Sequence, residues 1–92
     1  MALLSDSDVE ERLARLPGWA RRGDSIVKEF ERDDFVGSID FAQSLVEPAE
    51  AMNHHPDLEI SWATVTVKLT SHSEGGLTAA DFELASKIDA MA

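Results

Sequence analysis

The stretch Asp57-Leu58-Glu59-Ile60-Ser61-Trp62-Ala63-Thr64-Val65-Thr66-Val67-Lys68-Leu69 holds two alternating patterns that cannot belong to one strand. Leu58, Ile60 and Trp62 share one parity, whereas Val65, Val67 and Leu69 share the other. Successive side chains of a strand point to opposite faces, so a continuous strand would send one of these sets to water. A bulge or tight turn near Ala63 removes the conflict. The stretch therefore reads as two strands, about 57–61 and 64–70.

A second hairpin lies upstream. Trp19 to Arg22 and Ser25 to Phe30 flank the turn signal Gly23-Asp24, with Ile26, Lys28 and Phe30 on one parity. Trp19, beside Pro17-Gly18, reads as a core plug at a helix–strand junction in preference to a ligand-stacking residue. Before it, Ser5 to Leu16 has a helical apolar face of Val9, Leu13 and Leu16, with Ser7 and Glu10 at capping-box spacing and Pro17-Gly18 as the stop. Between the hairpins, Asp33 to Asn53 predicts a long helix capped by Asp33 or Asp34. Its apolar stripe would be Phe35, Ile39, Ala42, Leu45 or Val46, Ala49 and Met52. Pro48 removes the bond to the Ser44 carbonyl and should kink the last turn. The helix must end by His55, because the residue before Pro56 is pushed out of the helical region. After Gly75-Gly76, Thr78 to Met91 predicts a final helix with Phe82, Ala85, Ile88 and Met91 inward. The order α-β-β-α-β-β-α indicates an α+β fold: a four-stranded antiparallel sheet with three helices packed on one face.

Ninety-two residues predict one domain, 1–92, and the absence of cysteine leaves stability to apolar packing, helped by self-association. The net charge of −10 comes without a basic stripe, since Arg21, Arg22, Lys28 and Arg32 are interspersed with acids. Direct nucleic-acid binding and an acidic membrane surface are therefore not expected as partners. The first residues lack a basic n-region, and no run approaches the ~18 apolar residues of a membrane span, so a cytoplasmic location is expected.

All three histidines fall in Glu50–Pro56 and Thr70–Asp81. Glu50 and His54, four apart near a helix end, should be neighbours on one face, where a carboxylate can hold the imidazole in one tautomer. His55 leaves in another direction through the Pro56-fixed exit, and His72 can return to the same rim from the far end of the last strand. Three readings stay open. The histidines can be polar residues favouring a helix C-terminus. They can be zinc ligands, although adjacent His54 and His55 do not face one point on a helix and the H-E-x-x-H pattern is missing. They can be metal-free general acids and bases. No nucleophile with an evident activating base and no phosphate-cradling glycine loop is present. Thr78 and Asp81 also have capping-box spacing, so Asp81 can close the last helix and still face a ligand.

The spacing Glu50, three residues, His54-His55-Pro56, five residues, Trp62, nine residues, His72, eight residues, Asp81 resembles the signature of the pterin-4a-carbinolamine dehydratases. Pro17-Gly18-Trp19 and Gly76-Leu77-Thr78 extend the resemblance over nearly the whole chain. It implies dehydration of 4a-hydroxytetrahydrobiopterin to quinonoid dihydropterin, which recycles the pterin used in aromatic amino-acid hydroxylation. No metal or organic cofactor is implied. On the matching positions, His54, His55 and His72 become active-site histidines, with Glu50 and Asp81 as supporting carboxylates. Trp62 would line the pterin site or an oligomer core. The resemblance also implies a homodimer or homotetramer. Some members of that family serve as dimerisation or assembly cofactors, which is the alternative reading.

Overall fold

The computed structural model describes residues 2–92. The clash of parities in residues 57–69 is resolved by a tight turn. Strands β3 (Asp57–Ser61) and β4 (Thr64–Leu69) pair antiparallel, Asp57 opposite Lys68 and Ser61 opposite Thr64, with Trp62 and Ala63 between. Trp62 takes φ 48°, a left-handed conformation costing a bulky residue about 1–2 kcal/mol. The surroundings hold it there. Its carbonyl accepts from Ser38 Oγ at 2.7 Å, and the Ala63 carbonyl accepts from the Arg32 amide at 2.6 Å.

The other hairpin joins β1 (Ala20–Arg22) to β2 (Ser25–Glu31), and β2 pairs antiparallel with β4, giving the sheet order β1-β2-β4-β3. Directly opposed residues share a face, so Ile26, Phe30, Val65, Val67 and Leu69 form one buried apolar surface. The helices cover that surface: α1 (Asp6–Leu13) through Val9, α2 (Phe35–Ser44) through Phe41, and α4 (Ala79–Met91) through Phe82, Ala85 and Ile88. This is the α+β arrangement expected, in the expected order. No helix among the described residues is long and apolar enough to cross a membrane.

Four local expectations change. The first helix is capped by Ser5, whose hydroxyl accepts from the Asp8 amide, and not by Ser7; it ends at Leu13, with a turn before Pro17. The long helix is two helices, α2 and α3 (Val46–Met52), interrupted at Leu45. Pro48 is the cause. Without an N–H it cannot bond the Ser44 carbonyl, and the chain restarts so that proline falls in a first turn, where no internal donor is needed. The buried stripe of α2 is Ser38, Phe41 and Leu45, whereas Phe35, Ile39 and Val46 are exposed. Phe41 sets that rotation by packing its ring 4.9 Å from Phe30, and Ser38 by bonding Trp62. Met91 lies exposed at the end of α4, while Leu84 is buried because α3 covers a second side of that helix.

Trp19 is the core plug expected, with its indole N–H donating to the Asp89 carboxylate at 3.1 Å. Lys28 lies on the buried face of β2 and reaches the same carboxylate at 2.9 Å and the Pro17 carbonyl at 3.2 Å. Asp89→Ala leaves the indole N–H and the ammonium without that partner. The expected loss is about 1–3 kcal/mol, read from the urea midpoint of tryptophan emission at unchanged m-value.

Candidate active site

Helix α3 ends with Asn53 in the left-handed conformation, φ 48°. The His54 amide donates to the Ala49 carbonyl and the Asn53 amide to the Glu50 carbonyl, the two bonds of a Schellman ending. This turn takes His54 off the helix, so the expected Glu50–His54 pairing does not form. His55 moves into that place, and its Nε2 bonds Glu50 Oε2 at 2.5 Å on an exposed edge. His54 turns inward instead, its side chain 16% exposed, and its Nε2 lies 2.6 Å from Oδ1 of the fully buried Asp81.

The β3–β4 register brings the second segment alongside. Beyond the last registered pair, Asp57 with Lys68, Thr70 and Ser71 line one cavity with His54 and His55. Beyond β4 the chain makes a short 3-10 turn, His72–Glu74, closed by pairing of Ser71 with Gly76 and by Gly75 at φ 75°. His72 stands exposed on that turn, 3.9 Å from Asp57 Oδ2, a contact too solvated to hold it firmly. His54, His55 and His72 border one cavity of about 290 Å³, together with Thr70, Ser71, Glu74 and Thr78.

Asp81 caps α4 and also bonds His54. Its Oδ2 accepts from the Thr78 amide at 2.9 Å, completing a capping box at the start of α4, while Oδ1 takes His54. Oδ2 also accepts from Ser71 Oγ at 2.9 Å. An ionised carboxylate is an acceptor only, so His54 presents Nε2–H to it, and Nδ1 is the ring nitrogen turned away from Asp81. Among the described residues, no buried side-chain nitrogen or oxygen lacks a partner.

Trp62 is not brought to this cavity. It sits 73% exposed at the far end of the β3–β4 hairpin, about 16 Å along the strand from Asp57. Asp57 and Ser71 were missed in the sequence. The signal for both was the turn at Trp62-Ala63, because a turn of known length fixes which residues meet where the hairpin opens. Among the described residues, no three His, Asp or Glu side chains gather into a metal-binding group.

Three imidazoles, each near a different carboxylate, stand around one cavity at the open end of a hairpin on an α+β scaffold. The chain belongs to the pterin 4 alpha carbinolamine dehydratase family, whose model matches residues 2–91. A relative from Thermosynechococcus vestitus, provisionally named a pterin-4-alpha-carbinolamine dehydratase, is 52% identical over 97% of this chain and 94% of its own. One from Mycobacteroides abscessus with the same provisional name is 48% identical over 97% and 95%. The crystal structure of a transcriptional coactivator/pterin dehydratase from Brucella melitensis superposes with a TM-score of 0.91 at 33% identity, covering 97% of both chains. A pterin dehydratase-like RuBisCO assembly factor of the alpha-carboxysome shares the fold, with a TM-score of 0.68 at 21% identity over 80% of this chain and 88% of that one.

Proposed function

We propose that this chain dehydrates 4a-hydroxytetrahydrobiopterin to quinonoid dihydropterin and water, returning pterin for aromatic amino-acid hydroxylation. The observation that carries this reading is the cavity where His54, His55 and His72 meet, with Asp81, Glu50 and Asp57 behind them. The C4a–O bond breaks as the leaving hydroxyl takes up a proton, and a double bond forms between C4a and N5 as N5 gives up its proton. The balance needs no electron donor, no electron acceptor and no metal. A positioned acid and a positioned base are sufficient, each worth about 10²–10⁴-fold.

His54 is assigned to the proton transfer at the hydroxyl, with Asp81 in place of Glu50 as its orienting carboxylate. His55 and His72, both more exposed, serve the N5 proton and hold the pterin. The chain works in this reading as one cytoplasmic domain assembled into a dimer or tetramer. Purified protein should speed the absorbance change that follows 4a-hydroxypterin dehydration; a rate equal to that of buffer alone would refute the activity.

A second reading is favoured by the exposed apolar residues Phe35, Val36 and Ile39 on α2. On it, the same scaffold acts as a dimerisation or assembly cofactor for another protein. A stoichiometric partner retained by α2-intact protein, and retained equally by His54→Ala, would support it.

A further inference from the structure

The hydroxyls beside Asp81 are arranged in one direction only. Ser71 Oγ lies 2.9 Å from Asp81 Oδ2 and 2.8 Å from Thr78 Oγ1, and the pair is buried. Ser71 has a single hydroxyl proton, and a carboxylate can only accept, so that proton goes to Asp81. Thr78 must then donate to Ser71, and Thr78 Oγ1 keeps a lone pair for the Ala80 amide at 3.3 Å. Every donor in the cluster thus points, directly or through Ser71, at one carboxylate, whose remaining oxygen is left to His54. The backbone of Ser71 also closes the turn that carries His72: its carbonyl accepts from the Glu74 and Gly75 amides, each at 3.0 Å.

We propose that Ser71 is a positioning residue. By filling Asp81 Oδ2 it holds the carboxylate in the rotation that fixes His54 as the Nε2–H tautomer, with Nδ1 bare. The inference rests on the proton-transfer reading for its kinetic part, but not for its tautomer part. Without the Ser71 hydroxyl, Asp81 can rotate toward the Thr78 amide, and the grip on His54 loosens.

Long-range ¹H–¹⁵N NMR of the imidazoles tests this directly. Wild-type His54 should show a protonated Nε2 and a bare Nδ1; the opposite tautomer would overturn the proposal whatever the variants do. Ser71→Ala should bring in signal from the second tautomer and lower kcat about tenfold, corresponding to loss of one hydrogen bond to a charged group, with KM nearly unchanged. Ser71→Thr, which keeps the hydroxyl, should restore most of kcat. An unaltered His54 spectrum and unaltered kcat in folded Ser71→Ala would overturn the proposal. If Ser71→Ala does not fold, Ser71→Cys, a weaker donor of similar size, takes the same two readouts. Wild-type protein that fails to accelerate dehydration would sink the dehydratase reading alone, because the spectra still decide the role of Ser71.

Discussion

His54→Ala should lower the rate of carbinolamine dehydration about 10²- to 10⁴-fold, the range for removal of a positioned acid or base. His54 is the most enclosed of the three imidazoles and the one tied to a fully buried carboxylate. Its orientation is therefore preset before substrate arrives. The loss should fall on kcat, because a proton moves only as the C–O bond breaks and binding alone does not draw on it. The fold should survive at a cost of about 1–3 kcal/mol, because His54 is not a member of the apolar core but its removal leaves Oδ1 of the buried Asp81 without that partner. A single cooperative thermal transition, lowered but above the assay temperature, with steady-state rates on the same preparation, separates the two effects. An activity within threefold of wild type would remove His54 from the chemistry and move attention to His55.

Asp81→Asn should be nearly as damaging, by a different route. The side-chain shape is kept, but one oxygen becomes an NH₂ group. Two donors, the Thr78 amide and the Ser71 hydroxyl, converge on Oδ2, so the amide oxygen belongs on that side. The NH₂ then faces His54, whose Nε2 must accept a hydrogen bond, and the ring proton moves to Nδ1. The nitrogen assigned to the reaction is then in the wrong protonation state. A loss of about 10²–10⁴-fold in kcat is expected, the upper end being about the loss when a tautomer-setting carboxylate becomes an amide. Stability should fall by only about 1–2 kcal/mol, because each hydrogen bond keeps a partner and only the carboxylate's charge is lost from them. Imidazole ¹⁵N shifts and a denaturant midpoint measured together check both halves. A normal kcat alongside a switched tautomer would show that Nδ1 does not carry the proton.

The fold was legible in the sequence because its main signals are local. Opposed parities in residues 57–69 force a hairpin, and Gly23-Asp24 marks another. Pro48 was legible as a disturbance, but its extent was not. Whether a helix bends or restarts depends on what holds the chain on either side, here the Phe41–Phe30 packing and the Ser38–Trp62 bond. Exposed Phe35 and Ile39 were placed inward for a related reason: α2 is apolar on more than one side, and periodicity alone cannot choose between stripes. At the site, the residue types were readable and their pairings were not. Glu50 and His54 have ideal helical spacing, yet the helix stops between them at a left-handed asparagine, a conformation that side-chain patterns do not announce. Asp81 was equally ambiguous because one carboxylate, with two oxygens, both caps α4 and holds His54.

That left-handed asparagine has a consequence beyond ending a helix. His54 and His55 are chemically identical neighbours, and one backbone torsion decides which becomes the inner, carboxylate-locked imidazole and which the outer, water-exposed one. The placement of the two rings is written in the main chain. A residue at position 53 that resists positive φ would scramble it while leaving every histidine and every acid of the site in place.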